Sequence, residues 1–349
     1  APRPPISKYT PPPSDTTPTR PIARLSGDAG FLSGTITTTC SGLAGGVWGA
    51  SFLFLRMASP ALGPLVVAAG RVSLAAALLL PLAWQAGQGR AMRLAMWPLA
   101  ASSLLSCVLP FLALSRAAQT LPAGLMSILN ATTPMWGALV GWAWAGEKLG
   151  RARMLGLLVG MVGVTLLSAD ASSVMPKGQW HETLLACALL MAGTLMYAMS
   201  VHFNQRFLPG MSPMAISAGT MGWGSACLLA PALWTGPMPM AHAGLGPGAA
   251  PAAWADVPLA AWVSLGGLGV LCTALAYVMF FRLIQRIGPS RALTVTFLIP
   301  VFGMLWGALW LGEAITPTML VSTGIIGWGT WLSNRRPALP PALPATAHT

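Results

Sequence analysis

A chain of 349 residues with only 7% charged and 55% hydrophobic residues is excluded from the water-soluble globular class, whose members carry about 25% charged residues. Its net charge of +12 and mean hydropathy of +0.68 describe a polytopic membrane protein with basic loops. No interleaved basic and aromatic patch is present, so nucleic acid is not an expected partner.

Residues 1–36 are rich in Pro, Thr and Ser, as in PRPP and TPPPSDTTPT. They lack a packable apolar face and are expected to be disordered. No basic stretch leads directly into an apolar run with a small-residue cleavage site, so a cleaved signal peptide is not expected. Ten apolar segments follow, at 37–56, 62–84, 95–114, 121–144, 154–169, 183–203, 213–235, 259–281, 291–312 and 318–333. A membrane-crossing helix needs about 20 such residues, so the short segments at 154–169 and 318–333 are expected to extend into their flanks. The stretch 236–258 (GPMPMAHAGLGPGAAPAAW at its start) has no helical pattern and reads as an extramembrane loop. The Pro- and Ala-rich tail 335–349 is expected to be disordered.

Residues 116–147 and 282–313 are two copies of one passage at a constant offset of 166. They share Arg116/Arg282, Gln119/Gln285, Pro134/Pro300, Gly137/Gly303, Leu139/Leu305, Gly141/Gly307, Trp144/Trp310, Gly146/Gly312 and Glu147/Glu313. GMVG at 160–163 continues the likeness in GIIG at 324–327, and Trp48/Tyr197 and Ser51/Ser200 extend it weakly to the first helices. The chain therefore divides into a five-helix repeat at 37–169 and a second at 183–333. Five is odd, so the second repeat enters the membrane inverted relative to the first. The expected fold is all-α, ten transmembrane helices in two inverted repeats.

Charge sets the expected orientation. With the N-terminus inside, the cytoplasmic loops and tails hold Arg3, Lys8, Arg20, Arg24, Arg90, Arg93, Lys148, Arg151, Arg153, Arg206, Arg282, Arg286, Arg291, Arg335 and Arg336, against Arg56, Arg116 and Lys177 outside. Both termini are thus expected in the cytoplasm. Shifting the helix count by one would mix the two sets.

Pro134 and Pro300 each stand thirteen residues before the terminal acid, which is about 20 Å of helix and well inside the hydrocarbon layer. Each deprives the carbonyl four residues earlier, that of Asn130 or Thr296, of its helical partner. Non-helical backbone at that depth is tolerated beside protein or water. The expected result is a kinked helix pair lining a central cavity; a packing kink is the plainer alternative. Glu147 and Glu313 end the two passages, and Glu147 is followed by Lys148 and Arg151. They are expected at opposite membrane faces as structural or gating residues rather than proton carriers. Arg71, within LVVAAGRVSLAAALLL, is the one formal charge placed inside a helix, and no acid lies at its depth. It either faces the bundle interior, where carbonyls, water or a substrate carboxylate would meet it, or reaches the interface. Trp48, Ser51 and Phe52, with the small Gly49 between them, form either an aromatic cavity wall or simple packing. Tyr197, His202 and Tyr277 are weaker candidates.

The five cysteines, Cys40, Cys107, Cys187, Cys227 and Cys272, lie in or beside apolar runs without metal or disulfide spacing. No phosphate loop, HExxH, GxSxG or catalytic carboxylate pair occurs, so no enzyme activity, cofactor or metal is expected.

WGASF in the first helix, an arginine in the second, and two P-x(12)-E passages ending in Gly-Glu resemble the EamA-type drug/metabolite transporter superfamily over residues 40–333. Its motif positions fall on Trp48, Gly49, Arg71, Pro134, Glu147, Pro300 and Glu313. The Pro-rich N-terminal tail departs from the family's compact start. The resemblance implies a central cavity lined by the first, third, fourth, sixth, eighth and ninth helices. It also implies ATP-independent transport of small metabolites such as amino acids. The expected protein is an inner-membrane permease working by alternating access, coupled to a proton gradient. Its partners would be a small-molecule substrate and the lipid bilayer, with a homodimer open. The expected cavity side chains are Trp48, Ser51, Phe52, Arg71, Asn130, Pro134, Tyr197, Tyr277, Thr296 and Pro300, with Gly49, Glu147 and Glu313 framing them. The rivals are a channel and a lipid- or metabolite-modifying membrane enzyme.

Overall fold

The computed structural model describes residues 26–146, 150–174, 180–238, 253–287 and 295–333, with side chains from residue 42 onward except at 145, 170–174, 281, 283–287 and 297. These residues form ten principal helices and, among them, no strand. The residues up to Thr39 form a unit of their own, and those from Cys40 form the second. The helical segments are α1 (26–62) and α2 (64–85), followed by a helical turn Gly89–Leu94 and α3 (Met96–Ala117). Then come α4 (Ala123–Asn130 and Thr133–Ala145), α5 (Arg151–Val174), α6 (Trp180–Phe207) and α7 (Pro213–Thr235). The last three are α8 (259–287), α9 (Val295–Leu311) and α10 (Pro317–Ser333). Five stretches are long and apolar enough to cross a membrane, and the first, Gly42–Gln85, has 44 residues, enough to cross twice at about 20 residues each.

Three local differences from the sequence reading have physical causes. Helix α1 starts at Ser26, inside the segment expected to be disordered. Pro21 is the last proline before Pro60, so no ring blocks helix formation there. Helices α1 and α2 join through Gly63 alone, at φ 79°, a conformation that costs a side chain strain. Met238 packs onto it, donating from its N–H to Leu62 O at 3.3 Å. Segment 121–144 is two helices rather than one kinked helix, with the chain unwound at Ala131 and Thr132. The loop stretch 239–252 lies outside the described residues; its end forms a single 3-10 turn, Trp254–Asp256.

Interfaces in the bundle come in matched pairs, as a two-fold relation between repeats requires. Gly70 of α2 packs on Leu265 of α8, and its counterpart Gly219 of α7 packs on Leu99 of α3. Gly267 of α8 meets Phe54 of α1, while Gly193 of α6 meets Leu114 of α3. The self-paired helices run antiparallel. Along α5 and α10, Gly156 meets Ser333, Gly160 meets Gly329, and Gly163 meets Ile326. Along α4 and α9, Gly124 meets Met304 and Ser127 meets Gly303. Small residues at these crossings let backbones approach closely where lipid supplies no hydrophobic drive.

Candidate functional site

The duplicated Gly-Glu has a geometric meaning. Gly146 (φ 68°) and Gly312 (φ 65°) adopt the left-handed conformation just past their helices, where glycine is the favoured residue. The chain then turns, and Glu313 reaches the start of α4. Its two carboxylate oxygens accept from Ala123 N at 2.8 Å and Gly124 N at 3.1 Å. An anion placed on the unsatisfied N–H groups of a helix start is favourable. Glu313 thus ties the end of α9 to the start of α4. Glu147 lies outside the described residues.

The two prolines behave differently. Pro134 begins the second piece of α4. The Asn130 carbonyl, expected to be left free, accepts from Thr133 Oγ1 at 2.7 Å, and Leu129 O accepts from Thr132 Oγ1 at 2.7 Å. Pro300 lies within unbroken α9, and its own carbonyl accepts from Ser127 Oγ at 3.4 Å. Thr296 and Pro300 line a cavity of about 30 Å³ with Ile128, Ala131, Thr323, Ile326, Gly327 and Thr330. That is close to the share of one water molecule in the liquid. Asn130 and Pro134 are half-buried and are not among its walls.

A second cluster surrounds Arg71, which is 8% exposed. Its Nε donates to Thr273 Oγ1 of α8 at 2.9 Å, and its guanidinium carbon stands 3.8 Å from the centre of the Phe111 ring of α3. Such a cation on an aromatic face is stabilised by the ring quadrupole. Tyr197 meets Phe111 edge-on at 6.4 Å. Cys107 of α3, four residues before Phe111, and Cys272 of α8, beside Thr273, are buried. Helix α8 leaves α-geometry where it presents Thr273, and α3 does so in the turn before Phe111. Leu104–Val108 of α3 and Gly267–Leu275 of α8 are π-helical, and Thr273 Oγ1 donates to Leu268 O, five residues back, at 2.8 Å. π-Turns of this kind are frequent at functional sites.

The remaining expected residues divide between wall and packing. Trp48 is half-buried with its ring 4.9 Å from that of Phe280, three residues beyond Tyr277. Ser51 and Phe52 are buried, and Ser51 Oγ returns to Trp48 O at 2.6 Å. Gly49 lies against Phe302 and Gly303 of α9, where a side chain would collide with backbone. His202 bonds the Ala198 carbonyl of its own helix through Nδ1. Thr273, Phe111 and Cys107 were missed by the sequence reading. The signal was present: carried upstream of Arg116, the 166 register pairs Phe111 with Tyr277 and Cys107 with Thr273.

Ten helices in two matched repeats, enclosing one buried cation and aromatic walls, define a multi-pass membrane transporter fold. The EamA-like transporter family model matches the chain twice, over residues 37–169 and 184–335, and the chain belongs to that family. A probable amino-acid metabolite efflux pump of Escherichia coli (strain K12) is 22% identical, over 82% of this chain and 91% of its own length. A probable terminal-alkyne amino-acid exporter of Streptantibioticus cattleyicolor is 25% identical, over 62% of this chain and 65% of its own length. A WAT1-related chloroplastic protein of Arabidopsis thaliana is 26% identical, over 82% of this chain and 66% of its own length. One solved crystal structure superposes with TM-score 0.57 at 15% identity, covering 86% of this chain and 97% of that one, which supports the fold alone.

Proposed function

We propose that the protein is a secondary-active carrier that moves small amphipathic metabolites, amino acids or compounds like them, by alternating access between its two repeats. The observation that carries this reading is the buried Arg71 cluster, where Phe111 of the first repeat and Thr273 of the second meet one charge. A buried cation without a carboxylate partner is expensive at membrane depth, and such residues mark transport pathways. Discontinuous helices at a repeat interface belong to the same design, and α4 and the joined α1 and α2 supply them. Relatives named as exporters and efflux pumps support an outward direction. The carrier sits in the cytoplasmic membrane with both termini inside, a placement that the basic residues of its loops support, and draws on the proton gradient.

The test is counterflow of labelled metabolites in proteoliposomes, with and without a pH gradient. Saturable exchange accelerated by substrate on the opposite side is the expected result. Flux that rises linearly without saturation would replace the carrier with a channel. Accumulation unchanged when the pH gradient is collapsed would remove the proton coupling.

A further inference from the structure

Arg71 is held through Nε, one of the five N–H donors of a guanidinium. Its Nε is committed to Thr273, whose hydroxyl is itself fixed by donation to the Leu268 carbonyl. Phe111 covers one face of the guanidinium. Among the described residues, neither terminal nitrogen of Arg71 has a hydrogen-bond partner and no carboxylate pairs with the side chain. The acids whose side chains are described stand elsewhere: Glu182 in the first turn of α6, Asp256 in the turn before α8, and Glu313 on the start of α4. A buried guanidinium is costly unless paired and hydrogen-bonded. Its planar pair of terminal N–H groups matches the two oxygens of a carboxylate.

The two-fold relation sharpens the point. The register that pairs Gly70 with Gly219 pairs Arg71 with Thr220, whose hydroxyl donates to Ser217 O of its own helix at 3.1 Å. The position opposite Arg71 is therefore a neutral threonine, and the described site carries one positive charge on one side only. Tyr197 meets the Phe111 ring that covers that charge, Tyr277 stands one helical turn beyond Thr273, and both, half-buried, offer ring surface to an apolar body. No described carboxylate is near to meet an ammonium group.

We infer that Arg71 reads a single carboxylate through its two terminal nitrogens, so that the substrate class is monocarboxylates with an apolar or aromatic body, and an amino group is dispensable. This rests on the carrier reading above and names its substrate class. A second carboxylate would have no cation to meet, and an amide or ester in place of the acid would lack the charge that the site balances.

The experiment measures binding to the purified full-length protein by calorimetry, using phenylpropanoate, phenylpropanamide, phenylalanine and benzylsuccinate as probes. Phenylpropanoate binds the wild type, and phenylalanine follows within about threefold. The amide binds at least about tenfold more weakly, and Arg71→Gln weakens the acid by a similar factor, because a charge-assisted bidentate contact is lost. The acid-against-amide comparison uses wild-type protein, so it decides the matter even where Arg71→Gln does not fold. Equal binding of acid and amide, retention of acid binding in Arg71→Gln, or no binding of either acid to the wild type would overturn the inference. Counterflow separates it from the carrier reading. Saturable exchange of neutral compounds alone leaves the carrier and removes Arg71 as the carboxylate reader. Arg71-dependent acid binding without any saturable exchange does the reverse.

Discussion

In α4 the helix stops at Asn130 and restarts at Thr133, whereas α9 runs unbroken from Val295 to Leu311 through a proline at the matching position. The three residues before the proline decide the difference. In α4 they are Ala-Thr-Thr, and in α9 they are Phe-Leu-Ile. A threonine hydroxyl can bond a carbonyl of the preceding turn and so compete with the helical ladder. Thr132 and Thr133 do this to Leu129 and Asn130, so the break leaves those acceptors satisfied. Leu298 and Ile299 have no such group, and α9 keeps its helix around Pro300. The same proline in two copies thus yields a hinge-like break in one repeat and a stiff helix in the other. Inversion of the repeats places these unlike elements against each other, since α4 and α9 pack antiparallel.

The largest effect should come from the glycines that distinguish the two copies. A Cβ on Gly303 of α9 would overlap the buried Ser127 side chain, while a Cβ on its counterpart Gly137 meets nothing within 4 Å. Gly303→Leu should destabilise the protein by about 3 kcal/mol through overpacking. Gly137→Ala should be neutral or stabilise by up to about 1 kcal/mol, because it removes glycine's entropy cost in a helix. Thermal unfolding of both variants in the same detergent checks the pair. Equal shifts would mean that α4 and α9 do not pack as described.

Much of this was legible in the sequence, and what was hidden has a common cause. The apolar segments, the duplication and the solitary Arg71 are local patterns of composition and spacing, which a linear reading registers well. The break in α4 was also locally written, in the Thr-Thr before Pro134, but the proline was read as a kink. Arg71's partners were not local. Thr273 lies 202 residues away, and it is a neutral residue of a type common in membrane helices. Glu313 finds its partners 190 and 189 residues upstream, on backbone N–H groups that any sequence would supply. Only the repeat register links such positions, and only where it is carried beyond the matching letters.

A middle-sized effect is expected from the threonines of the broken copy. Thr132 is 1% exposed. Replacing Thr132 and Thr133 together by Val keeps the shape and leaves the Leu129 and Asn130 carbonyls without their hydroxyl donors. The cost should be about 2 kcal/mol, since the Asn130 carbonyl loses its partner at a penalty of about 1–3 kcal/mol, while Leu129 O keeps the Thr132 N–H at 3.2 Å. Faster hydrogen exchange at Met135 and Trp136, whose N–H groups both bond Thr132 O, should accompany it. Unchanged stability and exchange would show that the break does not depend on the hydroxyls.

The smallest effect concerns the two terminal acids, and it too should differ between copies. Glu313→Gln keeps the side-chain shape but leaves one accepting oxygen where the carboxylate offers two, one each to Ala123 N and Gly124 N. The loss of charge at a helix start and of one hydrogen bond should cost about 1 kcal/mol. Hydrogen exchange at Ala123 and Gly124 should quicken. In the 166 register the residues matching Ala123 and Gly124 are Pro289 and Ser290. A proline has no N–H to donate, so a clamp of the same kind by Glu147 could hold one backbone donor rather than two. Glu147→Gln should accordingly shift the unfolding temperature less than Glu313→Gln does. A larger shift from Glu147→Gln would mean that the acids are not equivalent clamps, and that Glu147 answers to the basic residues that follow it, Lys148 and Arg151.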